Sequence, residues 1–215
     1  MKGIIEGFYG TPWTWEERRL VGEALADAGM DTYVYAPKDD PLHRERWREP
    51  YPEQELAGFA ALVEEGALRV GVGISPGLSI DPESAEDRSQ LLGKVRQLIG
   101  TGVSLIGLLL DDLDPAPGLG ARHGALTAWL HDALDPEVEL FVVPLHYTGT
   151  EPAPYLDELV AEVPPQVPIG WTGSYVVNRT ITAEDARART AATGGRAPLL
   201  WDNTPVNDAI MAMPA

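Results

Sequence analysis

The chain has 215 residues, 44% hydrophobic and 23% charged, and its 33 acidic against 16 basic residues leave a formal net charge of -17. That length suits one well-buried domain over residues 1–215, as α/β barrels of this size run as single units. The lack of cysteine excludes disulfides and thiolate chemistry, and the acidity disfavours nucleic acid, anionic membranes and polyanionic polysaccharides as partners.

Residues 1–7 run straight into a strand-like stretch with no apolar leader core, and nothing approaches a transmembrane span. The chain is therefore expected to be cytoplasmic, unless it was cut from a longer precursor. Residues 2–8 read as the first strand. A helix over 14–28 follows, with Thr14 as N-cap, Glu17 completing a capping box, Gly29 as stop, and Leu20, Ala24, Leu25 and Ala28 at helical spacing. A strand over 32–36 ends at Pro37, and a helix over 53–65 carries Leu56, Phe59, Ala60 and Val63 on one stripe. The third strand, 69–75, ends at Pro76-Gly77. A helix over 84–99 then turns Leu91, Leu92, Val95 and Leu98 inward. The remaining pattern predicts strands over 105–110, 139–145, 168–172 and 198–201, with helices over 123–134, 155–163 and 183–193.

Strict alternation of strand and helix predicts a parallel sheet with helical crossovers. Polar and aromatic residues gather at the strand ends: Tyr9, Lys38 with Asp39, Asp111 with Asp112, Tyr147, Trp171, Asn203 and Asp208. Function spread over many strand ends marks a TIM (β/α)8-type barrel, whereas a doubly wound sheet concentrates its site at one or two switch points. Only seven strands are readable, so the barrel is expected to be open or truncated at its C-terminal end.

The sharpest feature is the run over 109–114, where an apolar strand ends in Asp111 and Asp112. Adjacent carboxylates resist ionising together, a cost that suits a site where one acid holds a proton while its neighbour stays charged. Taken alone, the pair reads equally as helix capping and loop solvation. Asp114 before Pro115 reads as a turn residue, Trp129 as packing, and the triplet Asn178-Arg179-Thr180 as a chance glycosylation match. His43, His123, His131 and His146 show no metal-ligand spacing.

Six motifs in series carry a family resemblance: GIIEGFYGTPWTWEER at 3–18, YVYAPKDDPLHRERWREPYP at 33–52, ISPGLSI at 74–80, LLDDLD at 109–114, WTGSYV at 171–176 and WDNTPVND at 201–208. Together they resemble glycoside hydrolase family 84, the retaining β-N-acetylglucosaminidases, which include enzymes that remove O-linked N-acetylglucosamine from proteins and some called hyaluronidases. The resemblance implies substrate-assisted hydrolysis through an oxazoline, one of the exceptions to the usual two-carboxylate scheme. It assigns Asp111 to orienting and polarising the acetamido N–H, and Asp112 to the general acid that later serves as base. By the same matching, the Gly7 backbone approaches the sugar, Lys38 binds a ring hydroxyl, and Tyr147 holds the acetamido group. Trp201 lines the pocket for its methyl, and Asn203 and Asp208 bind the sugar, Asp208 at the 4- and 6-hydroxyls.

The resemblance implies no metal and no cofactor, and a glycoprotein or glycan bearing N-acetylglucosamine as substrate. The chain departs from the family pattern at His146, where an acidic or polar residue is expected, and in stopping before the eighth strand and its sugar-binding Asn. Two other readings compete. One is a metal-dependent barrel hydrolase with Asp39, Asp111, Asp112 and Asp208 on Mg²⁺; the other is a sugar-binding barrel without turnover.

Overall fold

The computed structural model describes residues 1–204. In chain order these form β1 (Gly3–Glu6), α1 (Trp15–Asp27), β2 (Thr32–Tyr35), α2 (Glu53–Glu64), β3 (Arg69–Ile74), α3 (Ala85–Ile99), β4 (Leu105–Leu109), α4 (Leu119–Ala133), β5 (Glu139–Val143), α5 (Pro154–Glu162), β6 (Gly170–Trp171), α6 (Ala183–Ala192) and β7 (Leu199–Leu200). The alternation read from the sequence is present from end to end. No described helix is long and apolar enough to cross a membrane.

β1 to β5 form one parallel sheet in chain order, and β6 and β7 form a parallel pair. A bridge between Val142 and Ile169 links β5 to the residue before β6. The order never reverses, which removes the doubly wound alternative. Among the described residues β1 does not pair with β7, so the sheet is not closed.

Two apolar clusters show how the sheet is filled. Tyr33, Tyr35, Val70, Val72, Ile106 and Leu108 face the helices, packed with Phe59, Leu91, Val95 and Leu126. Their strand neighbours Val34, Ala36, Leu105, Leu109, Phe141 and Val143 make a second cluster on the opposite face. The period of two along each strand produces this division. Ile5 of β1 and Leu199 of β7 both pack against the second cluster, so the sheet curls until its first and last strands share one interior. Gly107 permits that filling, because a Cβ there would lie 2.4 Å from the Phe141 ring.

Three local readings change. α1 turns Arg18, Gly22 and Leu25 inward and leaves Leu20, Ala24 and Ala28 exposed. The cause is Glu6, fully buried at the end of β1, which accepts hydrogen bonds from Arg18 Nε at 2.9 Å and Nη2 at 3.0 Å. Arg18 is further held between the Trp15 and Tyr35 rings. α4 begins four residues earlier than predicted, after Gly118 in a left-handed conformation at φ 68°, with no side-chain cap to announce it. β6 and β7 are short, two residues each. The Thr14–Glu17 capping box forms as read.

Two buried histidines make stability pH-dependent. His43 Nδ1 contacts the Gly73 carbonyl at 2.8 Å, and His123 Nδ1 the Tyr155 hydroxyl at 2.8 Å. Burial pushes both down to about 4. The unfolded chain binds protons near pH 6.5 while the folded one refuses them, so stability falls as pH falls from about 6.5 towards 4. Each histidine is expected to cost about 2–3 kcal/mol by pH 4.5. Urea unfolding at pH 7, 6 and 4.5 measures it, and a flat midpoint across that range contradicts it.

Candidate active site

A cleft, partly open to solvent, lies where the inner face of the curled sheet meets the loops after its strands. Gly7, Lys38, Asp111, Asp112, Tyr147, Trp201 and Asn203 all line it. They follow β1, β2, β4, β5 and β7, so the C-terminal ends of five strands supply one site. Asp208 lies outside the described residues.

β4 runs buried to Leu109, and Leu110 still donates its N–H to the Val143 carbonyl at 2.8 Å. The chain then leaves the sheet. Asp112 adopts φ 58°, the only described non-glycine residue with positive φ. Asp tolerates that region better than most residues, yet a strained carboxylate at a strand end is a mark of function. The two acids are not equivalent. Asp111 is 12% exposed and Asp112 36%, so one lies deep in the cleft and the other at its mouth.

Sequence reasoning treated the pair as two acids repelling each other; the structure sets two cations against them. Lys38 Nζ is 3.0 Å from Asp111 Oδ2 and 3.6 Å from Asp112 Oδ2, and Arg44 Nη2 is 3.2 Å from Asp112 Oδ2. Burial alone would lower the Lys38 ammonium, but the charges of Asp111 and Asp112 outweigh it and hold Lys38 above its ordinary value. Desolvation likewise opposes the charge on Arg44, while Tyr9 and Asp112 hold its value raised. Asp111 Oδ1 is buried and accepts no hydrogen bond from the described residues.

The loop after β2 divides its three charged residues. Lys38 enters the cleft. Asp39 accepts the Gly10 N–H at 2.7 Å, and Asp40 accepts the Tyr35 and Tyr51 hydroxyls at 2.9 and 2.8 Å. Asp39 is thus committed to the loop after β1, and Lys38 stands where a divalent ion would have to bridge Asp111 and Asp112. Among the described residues no three His, Asp or Glu side chains converge as a metal site.

Gly7 comes close to Trp201: a Cβ there would sit 3.0 Å from Trp201 Cζ2, so the indole would have to give by a few tenths of an ångström. Asn203 Nδ2 donates to the Val176 carbonyl at 2.9 Å, which fixes its amide plane at the rim. Trp171, grouped with the strand-end residues on sequence, is buried and donates its indole N–H to the Gly149 carbonyl at 2.8 Å; it supports the site and does not line it. Val143, Thr172 and Val176 line the cleft without having been singled out. Arg44 was also missed, although it stands in the motif over 33–52, six positions after Lys38 in the same loop.

Comparison with known proteins agrees with this arrangement. Residues 2–213 match the family model NAGidase, described as beta-N-acetylglucosaminidase. The chain is 32% identical over 225 aligned positions to Protein O-GlcNAcase of Rattus norvegicus and to that of Mus musculus. Each overlap takes in 96% of this chain and 24% of the relative, so the chain spans about a quarter of the length of those curated relatives. Among solved structures, a mutant of the Thermobaculum terrenum O-GlcNAc hydrolase superposes with TM-score 0.89 at 31% identity, over 97% of this chain and 48% of that one. The structure of CpGH84B gives TM-score 0.85 at 33% identity, over 98% and 40%.

Proposed function

The chain belongs to the NAGidase family of beta-N-acetylglucosaminidases, and from that premise we propose that residues 1–215 form the catalytic barrel unit of a retaining exo-β-N-acetylglucosaminidase. Its substrate would be a protein or glycan bearing terminal N-acetylglucosamine, the chemistry named in its relatives Protein O-GlcNAcase. The long-range field of the -17 charge disfavours polyanionic hyaluronan. The curled sheet with its site at the C-terminal strand ends supports a TIM-type architecture.

The observation that carries the reading is the unequal environment of the two acids. Asp111 lies deep, with Oδ2 on Lys38 and Oδ1 buried without a donor. A buried acceptor left unsatisfied costs about 1–3 kcal/mol, which an acetamido N–H would relieve. Holding that N–H turns the acetamido oxygen towards the anomeric carbon. The oxygen attacks, the glycosidic C–O bond breaks, and Asp112 at the cleft mouth gives its proton to the leaving oxygen. The nitrogen keeps its proton on Asp111, so the intermediate is the oxazolinium form. Asp112 then takes a proton from water, whose oxygen bonds to the anomeric carbon as the bond to the acetamido oxygen breaks, with net retention. Trp201 and Val143 offer apolar surface to the acetyl methyl. Lys38, Asn203 and Asp208 are assigned to the sugar hydroxyls, Gly7 to backbone approach, and Tyr147 to the acetamido group.

Hydrolysis of 4-methylumbelliferyl N-acetylglucosaminide, followed by NMR of the released sugar, is expected to give the β-anomer first. An N-acetylglucosamine-derived thiazoline is expected to bind competitively. Release of the α-anomer overturns the mechanism, and thiazoline binding without hydrolysis assigns the chain to sugar binding alone.

A further inference from the structure

The segment carrying Tyr147 is held from outside itself. Four successive carbonyls are each taken by donors from β6, the residue after it, or α6. Trp171 Nε1 reaches Gly149 O at 2.8 Å, and the Thr172 N–H reaches Tyr147 O at 2.9 Å. The other two belong to one side chain. Arg189 of α6 donates through Nη2 to His146 O at 2.7 Å and through Nη1 to Thr148 O at 3.4 Å. One guanidinium therefore grips the residues immediately before and after Tyr147.

Arg189 is an expensive residue to put there. It is 1% exposed, its Nε has no partner, and no described carboxylate forms an ion pair with it. Burial lowers its guanidinium to about 10, and its charge adds to the burial that lowers His146. A buried cation without a counter-charge is a poor way to stabilise a fold, since an apolar side chain of similar volume fills the space at no desolvation cost. What the guanidinium alone offers is a planar fork that reaches two acceptors at fixed separation; an ammonium is a single point.

We propose that Arg189 is a positioning residue whose grip on His146 O and Thr148 O sets the place of the Tyr147 phenol in the cleft. The inference rests on the reading of Tyr147 as the group that holds the acetamido end of the substrate. Misplacing such a group by about 1 Å costs on the order of 10²-fold in rate. Arg189 touches no reacting atom, so its effect passes through Tyr147.

A double-mutant cycle tests this. Arg189→Met and Tyr147→Phe are each expected to lower kcat by about 10²-fold with a much smaller change in KM. The double variant is expected to be no slower than Tyr147→Phe alone, because a phenol already removed cannot be misplaced. Losses that multiply overturn the proposal, as does an unchanged kcat in Arg189→Met. If Arg189→Met does not fold, Arg189→Lys carries the same cycle, keeping charge and bulk while giving up one carbonyl. Amide hydrogen exchange gives an arm independent of turnover: the Gly149 N–H, bonded to the Gly173 carbonyl, and the Thr172 N–H, bonded to the Tyr147 carbonyl, are expected to exchange about tenfold faster in Arg189→Lys, with the β4 amides unchanged. If the unaltered chain hydrolyses no N-acetylglucosaminide, the functional reading fails while this arm still decides the clamp. Unaltered protection at Gly149 and Thr172 overturns it.

Discussion

Replacing Asp112 by Asn is expected to remove turnover of substrates with poor leaving groups, by ~10²–10⁴-fold, while sparing the first step on activated aryl glycosides. An alkoxide leaving group, such as a serine or threonine oxygen, must be protonated as its bond breaks. A 4-nitrophenolate departs without that help, and Asn supplies none. The second step still needs a base for water, so the variant should release a burst of aryl alcohol and then stall as the oxazoline accumulates. Asp112 suits the first role by its place at the mouth of the cleft and its 36% exposure, where an aglycone enters. Asp111, deeper and held by Lys38 at 3.0 Å, suits the second-substituent role. First-step rates on the two substrate classes, read from the burst or single-turnover release of the aglycone, give the measurement. Equal loss on both contradicts the assignment.

Arg18→Met is expected to destabilise the fold by about 3–5 kcal/mol, because it leaves the Glu6 carboxylate buried without its cation. Glu6 is 0% exposed, and it also accepts the Trp13 N–H at 3.0 Å and the Tyr33 hydroxyl. The double variant Glu6→Gln with Arg18→Met is expected to recover most of the loss, since a neutral pair needs no counter-charge. Methionine also fits between the Trp15 and Tyr35 rings that hold the guanidinium. Urea unfolding of the three proteins settles it. A single variant within 1 kcal/mol of the parent, or a double variant no better than the single, contradicts it. Glu6 directly precedes Gly7, so the same network fixes the first edge of the cleft.

Order and type of the elements were legible because each carries a local signal. Thr14 with Glu17 announces α1, and the apolar run before Asp111 announces β4. Where the local signal is absent, reading fails for a physical reason. α4 starts behind a left-handed glycine with no capping side chain. The inward face of α1 is set by a charge on a different element, which no helical periodicity reports. At the site, Lys38, Asp111, Asp112, Trp201 and Asn203 stand in motifs whose residue order is distinctive, Tyr147 lies between two of them, and the fold brings all six together. Arg44 stands in the motif over 33–52 without a role of its own there, and Arg189 lies outside every motif. Each matters through what it touches: Asp112 for one, two backbone carbonyls for the other.

The approach of Gly7 to Trp201 has a kinetic corollary. The cleft takes one wall from near the start of the chain and another from near residue 200, so it is complete only once contacts across about 190 positions have formed. Contacts between such distant positions form slowly. Recovery of thiazoline binding after dilution from urea should therefore lag behind recovery of helical circular dichroism, making ligand capture a clock for the last event of folding.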